Sequence, residues 1–287
     1  MDCLVCSQPT RSGLSQWHAV CPSCGYESAS LQPSINDQAV HTLVNERDRE
    51  IALKALRQEN FRAIVARTSA LAAPGAATLL DVGSAHGWFL EEARGRFAVL
   101  GIEPDTGVGE KAAARGLPVR LGYFPDALVS GERFDVIVFN DVIEHIPDIN
   151  GAVRACHARL RDGGLLVLNL PSSRGFFYRL SRLFARVGLP GPFERMWQKD
   201  LPSPHVHYFN GTNLATLVRR HDFTLLQRFT LPSLRASGLI ERLGFVGKVS
   251  RPMLYAQYLG ALCVIPLLRV FPSDIMVAIF RKGQGVR

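Results

Sequence analysis

The stretch TLLDVGSAHGW, running from Thr78 to Trp88, decides the fold. It passes from an apolar run that ends at Asp81, through a turn with Gly83 and Gly87, into a helical stretch near Trp88 to Arg94. A second apolar run, FAVLGIE, ends in Glu103. The alternation then continues with a helix near Gly107 to Arg115, LPVRL, FDVIVF, a helix near Ile149 to Arg161, and LLVLNL. Strands alternating with helices predict an α/β core whose mostly parallel sheet is doubly wound by helices. Ligands of such sheets lie beyond the carboxyl ends of the strands, so the polar groups that end the strands are the ones to examine.

The tight turn lets backbone amides approach a ligand. Glu103, twenty residues after Gly83, is placed to accept hydrogen bonds from both hydroxyls of a ribose. The plainer alternative is that Gly83 and Gly87 only permit a close strand-to-helix connection and that Glu103 is solvated beside Pro104. Ala85 stands where a dinucleotide fingerprint needs its central glycine to admit a pyrophosphate. A ligand lacking that group fits better, and S-adenosylmethionine is a nucleoside joined to an amino acid. Ala85 is tolerable provided its position does not need positive φ.

The 287 residues, 47% apolar and 20% charged, suffice for one large domain with a small appendage and exclude a disordered or fibrous chain. The appendage is at the N-terminus, where Cys3-x-x-Cys6 and Cys21-x-x-Cys24 have the spacing of two knuckles around one tetrahedral ion. Zinc is expected, structural because four protein ligands close the sphere; the alternative is four unrelated cysteines. The expected organisation is a zinc ribbon over 1–35, a helical linker over 36–70 and the main domain over 71–287. Val40, Leu43, Val44, Ile51, Leu53, Leu56, Phe61, Ile64 and Val65 carry the helical spacing of the linker. Cys156 and Cys263 sit in apolar contexts and are expected to be buried. No basic region followed by an apolar run opens the chain, so a cytoplasmic location is expected.

Taken together, the CxxC pairs, LLDVGSAHGWFLEEA, GIEPD, FDVIVFNDVIEHIPD, RDGGLLVLNLPS, HVHYFN and HDFTLL resemble the class I S-adenosylmethionine-dependent methyltransferases, in particular bacterial members with an N-terminal zinc ribbon. The resemblance covers most of the chain and implies a Rossmann-like core with a helical lid inserted near 172–204 and 232–271. It implies that Asp81, Gly83, Ser84 and Gly87 surround the methionine part of the cofactor and that Glu103 holds the ribose. Tyr123 and Phe124 would flank the adenine, where the usual carboxylate is absent and Asp126 follows. Asn140 and Asp141 would border the sulfonium.

A methyl sulfonium is already electrophilic, so alignment and a base for the acceptor proton are the remaining needs. His145 is the first candidate base; its alternative is to cap the Ile146-Pro147-Asp148 turn. Asp141, Glu144 and His145 could instead bind a divalent ion, as in the similar E-x-x-E-H stretch of quinone-pathway O-methyltransferases. His205 and His207 share a side if extended, and line the acceptor pocket or form a structural turn. The expected acceptor is a small molecule, a glycan or a lipid-linked group, methylated on oxygen.

Residues 172–287 hold 17 basic and 5 acidic side chains, whereas 1–171 hold 16 and 20. An anionic partner should therefore meet the C-terminal part first. The segment GFFYRLSRLFARVGLPGPFERMWQK places Arg179, Arg182 and Arg186 at helical spacing beside an apolar side. With the charge-free run from Pro252 to Leu268 it could lie peripherally on the inner membrane surface; alternatively it is a cap over the pocket with solvated arginines. Methylation of ribosomal or transfer RNA is the competing function, weakened because Arg11 is the only Lys or Arg in the first 35 residues. A non-catalytic binding module is the third.

Overall fold

A computed structural model describes residues 1–34, 46–234, 251–268 and 270–283. Val40, Leu43 and Val44 of the expected linker, and positions 235–250 of the expected second lid, lie outside the described residues.

Eight strands and helices of the core follow the alternation. Strand β4 (Thr78–Val82) leads to α2 (Trp88–Ala93), β5 (Ala98–Glu103), α3 (Thr106–Ala114), β6 (Val119–Leu121), β7 (Phe134–Asn140), a short 3₁₀ turn (Ile143–His145), α4 (Ile149–Arg159) and β8 (Leu160–Pro171). Two further strands, β10 (Phe223–Leu231) and β11 (Ile275–Lys282), complete a seven-stranded sheet of order β10-β11-β8-β7-β4-β5-β6. β4 to β8 run parallel, while β11 is antiparallel to both β8 and β10. The central strands are buried on both faces, which is why they read as unbroken apolar runs. Order reverses between β4 and β7, so the carboxyl ends of β4, β5 and β7 surround the switch point.

Helix α1 (Glu46–Leu71) buries Phe61, Ile64 and Val65 in one core layer, with Phe61 edge-on to Phe89 of α2. It is more than a linker, because its Arg57 reaches Asp141 at 3.5 Å, over the end of β7.

The N-terminal segment contributes β1 (Arg11–Ser12), β2 (His18–Val20) and β3 (Glu27–Ala29) to a second sheet. Its fourth strand is β9 (His207–Tyr208), supplied by the core and antiparallel to β3. The ribbon is therefore stitched into the domain. Helix α7 (Gly211–Arg219) has a capping box of Asn210 and Asn213, and both side-chain amides also donate to the Cys24 carbonyl. Helices α5 (Phe176–Arg186) and α6 (Gly191–Met196) pack on the ribbon, where Tyr178, Phe193, Trp197 and Tyr208 form a buried cluster with Trp17 against it. Their apolar side faces this ribbon cluster, and Arg182 turns inward to Glu27 at 3.0 Å. Only part of the expected cationic side is solvated.

The helix Arg251–Leu268 leaves Met253, Tyr255 and Leu259 exposed. No described helix is long and apolar enough to cross a membrane. Cys156 is fully buried as expected, but Cys263 is exposed, because this helix turns that position outward.

Candidate active site

The glycine turn and the second strand meet directly. The amides of Gly83 and Ser84 donate to the Ile102 carbonyl at 2.8 and 2.9 Å, and the Ala85 amide donates to Glu103 Oε2 at 2.7 Å. Glu103 Oε1 accepts from Asp105 N at 2.8 Å. A carboxylate oxygen can accept more than one hydrogen bond, so these bonds are compatible with two ribose hydroxyls. Gly83 has φ of 71°, and a Cβ there would stand 2.6 Å from the Val142 side chain, so only glycine fits. Ala85 also has positive φ, 44°, against the condition under which the sequence tolerates it. The hydrogen bond to Glu103 holds it there.

Asp81 ends β4 and is 1% exposed. Burial raises its carboxyl to about 8; a hydrogen bond from Asn140 opposes the shift, and the nearby Glu103 charge adds to it. Asn140 Nδ2 donates to Asp81 Oδ1 at 3.1 Å, and Asn169 Nδ2 donates to Asn140 Oδ1 at 3.4 Å, so one polar chain crosses the ends of β4, β7 and β8. Asn169 escaped the sequence reading; its only signal was one amide inside LLVLNL. A buried carboxyl with no cation among its hydrogen-bond partners, close to a second one, is an environment that a cationic ligand relieves.

The remaining expected cofactor residues divide. Gly87 caps α2 in a left-handed conformation. The Ser84 hydroxyl is buried with no hydrogen-bond partner among the described residues, and a Cβ on Gly101 would touch it at 2.5 Å, so it faces β5. Phe124 lies edge-on to Phe139 at 5.8 Å, and Tyr123 is exposed.

His145 donates from Nδ1 to the Pro204 carbonyl at 2.8 Å, which leaves the lone pair of the neutral ring on Nε2. Asp148, at the end of the Ile146-Pro147-Asp148 turn, caps helix α4 by accepting from Gly151 N at 2.8 Å. Glu144 Oε1 lies 4.0 Å from Nε2 of both His145 and His205. Glu144 is 1% exposed, neither of its oxygens has a hydrogen-bond partner among the described residues, and burial raises its carboxyl well above the usual range. The structure thus gathers Glu144, His145 and His205 into one group whose ligand atoms lie within 4.8 Å of one another. Asp141 is not part of it. Its carboxylate instead faces Arg57, so the expected ion at Asp141, Glu144 and His145 does not fit this arrangement.

Of the two roles expected for His207, the structure gives the structural one. Its Nδ1 meets the Tyr26 hydroxyl at 2.5 Å and its Nε2 donates to the Ile146 carbonyl at 2.9 Å. Burial lowers its proton affinity to a pKa of about 4. Both nitrogens are spent in a joint between ribbon and core, which leaves none for an acceptor.

The four ribbon sulfurs come together, with Cys3 and Cys24 Sγ at 3.6 Å, Cys6 and Cys21 Sγ at 3.5 Å, and all four within 4.8 Å. A tetrahedral ion with bonds of about 2.3 Å needs edges of roughly 3.8 Å, so the set could hold zinc.

A protein-family profile described as a methyltransferase domain matches residues 53–228. A ubiquinone biosynthesis O-methyltransferase of Paramagnetospirillum magneticum is 38% identical over 122 residues, 39% of this chain and 48% of that protein. Another protein of that description, from a Methylobacterium species, is 38% identical over 95 residues, 31% of this chain and 38% of its own length. The chain thus spans less than half the length of these curated relatives. Among solved structures, a chain from the complex of the Haloferax volcanii Trm112 methyltransferase activator with a methyltransferase has a TM-score of 0.57 at 12% identity, covering 88% of this chain and 100% of that one. An S-adenosylmethionine-dependent methyltransferase of Thermotoga maritima has a TM-score of 0.52 at 16% identity, covering 84% and 96%. At such identities the likeness concerns the fold.

Proposed function

Because the chain belongs to the methyltransferase-domain family, we propose that it transfers a methyl group from S-adenosylmethionine to a hydroxyl oxygen of a small acceptor, such as a free metabolite or a glycan. The observation that carries this reading is the pair of carboxyl groups at the ends of β4 and β5, one buried and without a cation, the other hydrogen-bonded to the glycine turn.

In this reading Asp81 answers the positive charge of the cofactor, Glu103 accepts from the ribose, and Asn140 and Asn169 hold Asp81 in place. Gly83 and Gly87 bring the turn close to the methionine part, Phe124 bounds the adenine side, and Asp141 borders the sulfonium. When bound, the cofactor supplies an electrophilic methyl carbon and leaves as S-adenosylhomocysteine, its sulfur keeping the bonding pair. His145 Nε2, on the edge of the ring opposite the Pro204 bond, takes the acceptor proton as the oxygen attacks. The Nδ1 bond to Pro204 fixes the tautomer that this requires.

Zinc on Cys3, Cys6, Cys21 and Cys24 belongs to the same reading as a structural ion. It would fix the knuckles against Asn210 and Asn213 and contributes no open coordination site. The test is incubation with S-adenosylmethionine labelled in the methyl group and a fractionated extract of the source cell. Label entering a small-molecule pool supports the reading, and label entering only RNA contradicts it.

A further inference from the structure

The cleft between the ribbon and α5 concentrates positive charge that methyl transfer itself does not use. It encloses about 620 Å³, walled on one side by the Cys21 to Gly25 knuckle and on the other by Ser173, Arg174 and α5. Arg11, Arg174, Arg179 and Arg182 line it, and Glu27 is its only lining carboxylate. Glu27 is already engaged by Arg182 at 3.0 Å and by His18 and Tyr178, both at 2.8 Å. Arg11, Arg174 and Arg179 form no ion pair with any described residue. Even a zinc ion with four thiolates, which carries two negative charges, leaves the guanidinium groups in excess.

Like charges gathered in a walled cleft raise its potential, and an anion placed there relieves it. Guanidinium forks match the paired oxygens of a phosphate, and Ser23 and Ser173 line the cleft from its two sides. One wall of the cleft is also close along the chain to the reaction site. Ser173 follows β8, only four residues beyond Asn169, which is at most about 13 Å of extended chain. Asn169 itself bonds to Asn140 at the end of β7. A ligand of sugar-phosphate size or larger is long enough to span that separation.

We propose that this cleft holds a phosphate or diphosphate group of the acceptor, so that the molecule methylated is a phosphate ester. This inference rests on the methyltransferase reading and names its substrate class. A soluble molecule and a lipid that carry such a group present the same chemistry to the cleft.

Calorimetric titration of the full chain with sodium pyrophosphate tests it. Saturable binding is expected, weakened at least tenfold in Arg174→Gln/Arg179→Gln and unchanged in Arg186→Gln, which alters an exposed arginine of α5 outside the cleft. No saturable binding, or an equal loss in Arg186→Gln, would overturn the inference. Vesicles containing phosphatidylglycerol separate the sources: binding displaced by pyrophosphate indicates a lipid-borne group, and pyrophosphate binding without vesicle binding indicates a soluble one. S-adenosylmethionine titrated into the same samples separates the two readings. Cofactor binding without pyrophosphate binding removes the phosphate inference alone, whereas pyrophosphate binding without cofactor binding removes the methyltransferase reading.

Discussion

Glu103 accepts the amide of Ala85 at 2.7 Å, and Ala85 is held with φ of 44°. A left-handed conformation costs an alanine roughly 1–2 kcal/mol, part of which glycine would give back through its freer unfolded chain. Ala85→Gly should therefore raise stability by about 0.5–1 kcal/mol in denaturant melts. A loss of stability would show that the alanine methyl packs more favourably than the backbone strain costs.

Asp81 gives the pH dependence. Its ordinary value is 3.8 and burial raises it to about 8, so between these pH values the native state keeps a proton that the unfolded chain has released. The stability that this group contributes is full below pH 4 and is lost as pH rises to 8. Thermal melts of the ligand-free protein should show that slope, and Asp81→Asn should flatten it. A cationic ligand must displace the same proton, so cofactor affinity should rise with pH by up to about tenfold per unit until pH 8. Affinity independent of pH would exclude Asp81 as the counter-charge.

Removing zinc should loosen the ribbon. A structural zinc site contributes on the order of 10 kcal/mol of folding free energy, and the ribbon supplies Trp17 to the cluster around Phe193 and Trp197, with ring centroids at 5.7 and 5.6 Å. A strong chelator or Cys21→Ser should red-shift tryptophan fluorescence and lower the melting temperature. Purified protein that contains no zinc and is indifferent to chelator would refute the metal assignment.

Replacing the base should leave binding intact. His145→Gln should lower kcat by about 10² to 10⁴ with cofactor affinity unchanged. His207→Gln, at the ribbon joint, should act on melting temperature first. If the two variants exchange these effects, the base has been misassigned.

Much of the core was legible because parallel strands buried on both faces leave uninterrupted apolar runs, and because Asp81, Glu103 and Asn140 end theirs with polar groups. The antiparallel pair β10 and β11 was missed at Ile275–Lys282, whose partner in the sheet is more than a hundred residues away in β8. Long-range pairing leaves no local period. For the same reason nothing in the sequence tied His207 to Tyr26, Arg182 to Glu27 or Arg57 to Asp141. The aromatic side of α5 was readable as apolar, but what it covers depended on where the ribbon docks. The site's alanine was legible as a departure; its positive φ was not.

The central claim is that the crevice between the glycine turn and Glu103 receives an adenosyl sulfonium. Calorimetric titration of S-adenosylmethionine into the wild-type protein and Glu103→Ala tests it most directly. The account predicts saturable one-site binding to the wild type, weakened in the variant by about 1–3 kcal/mol. Identical dissociation constants for the two proteins, or no binding to either, would contradict it.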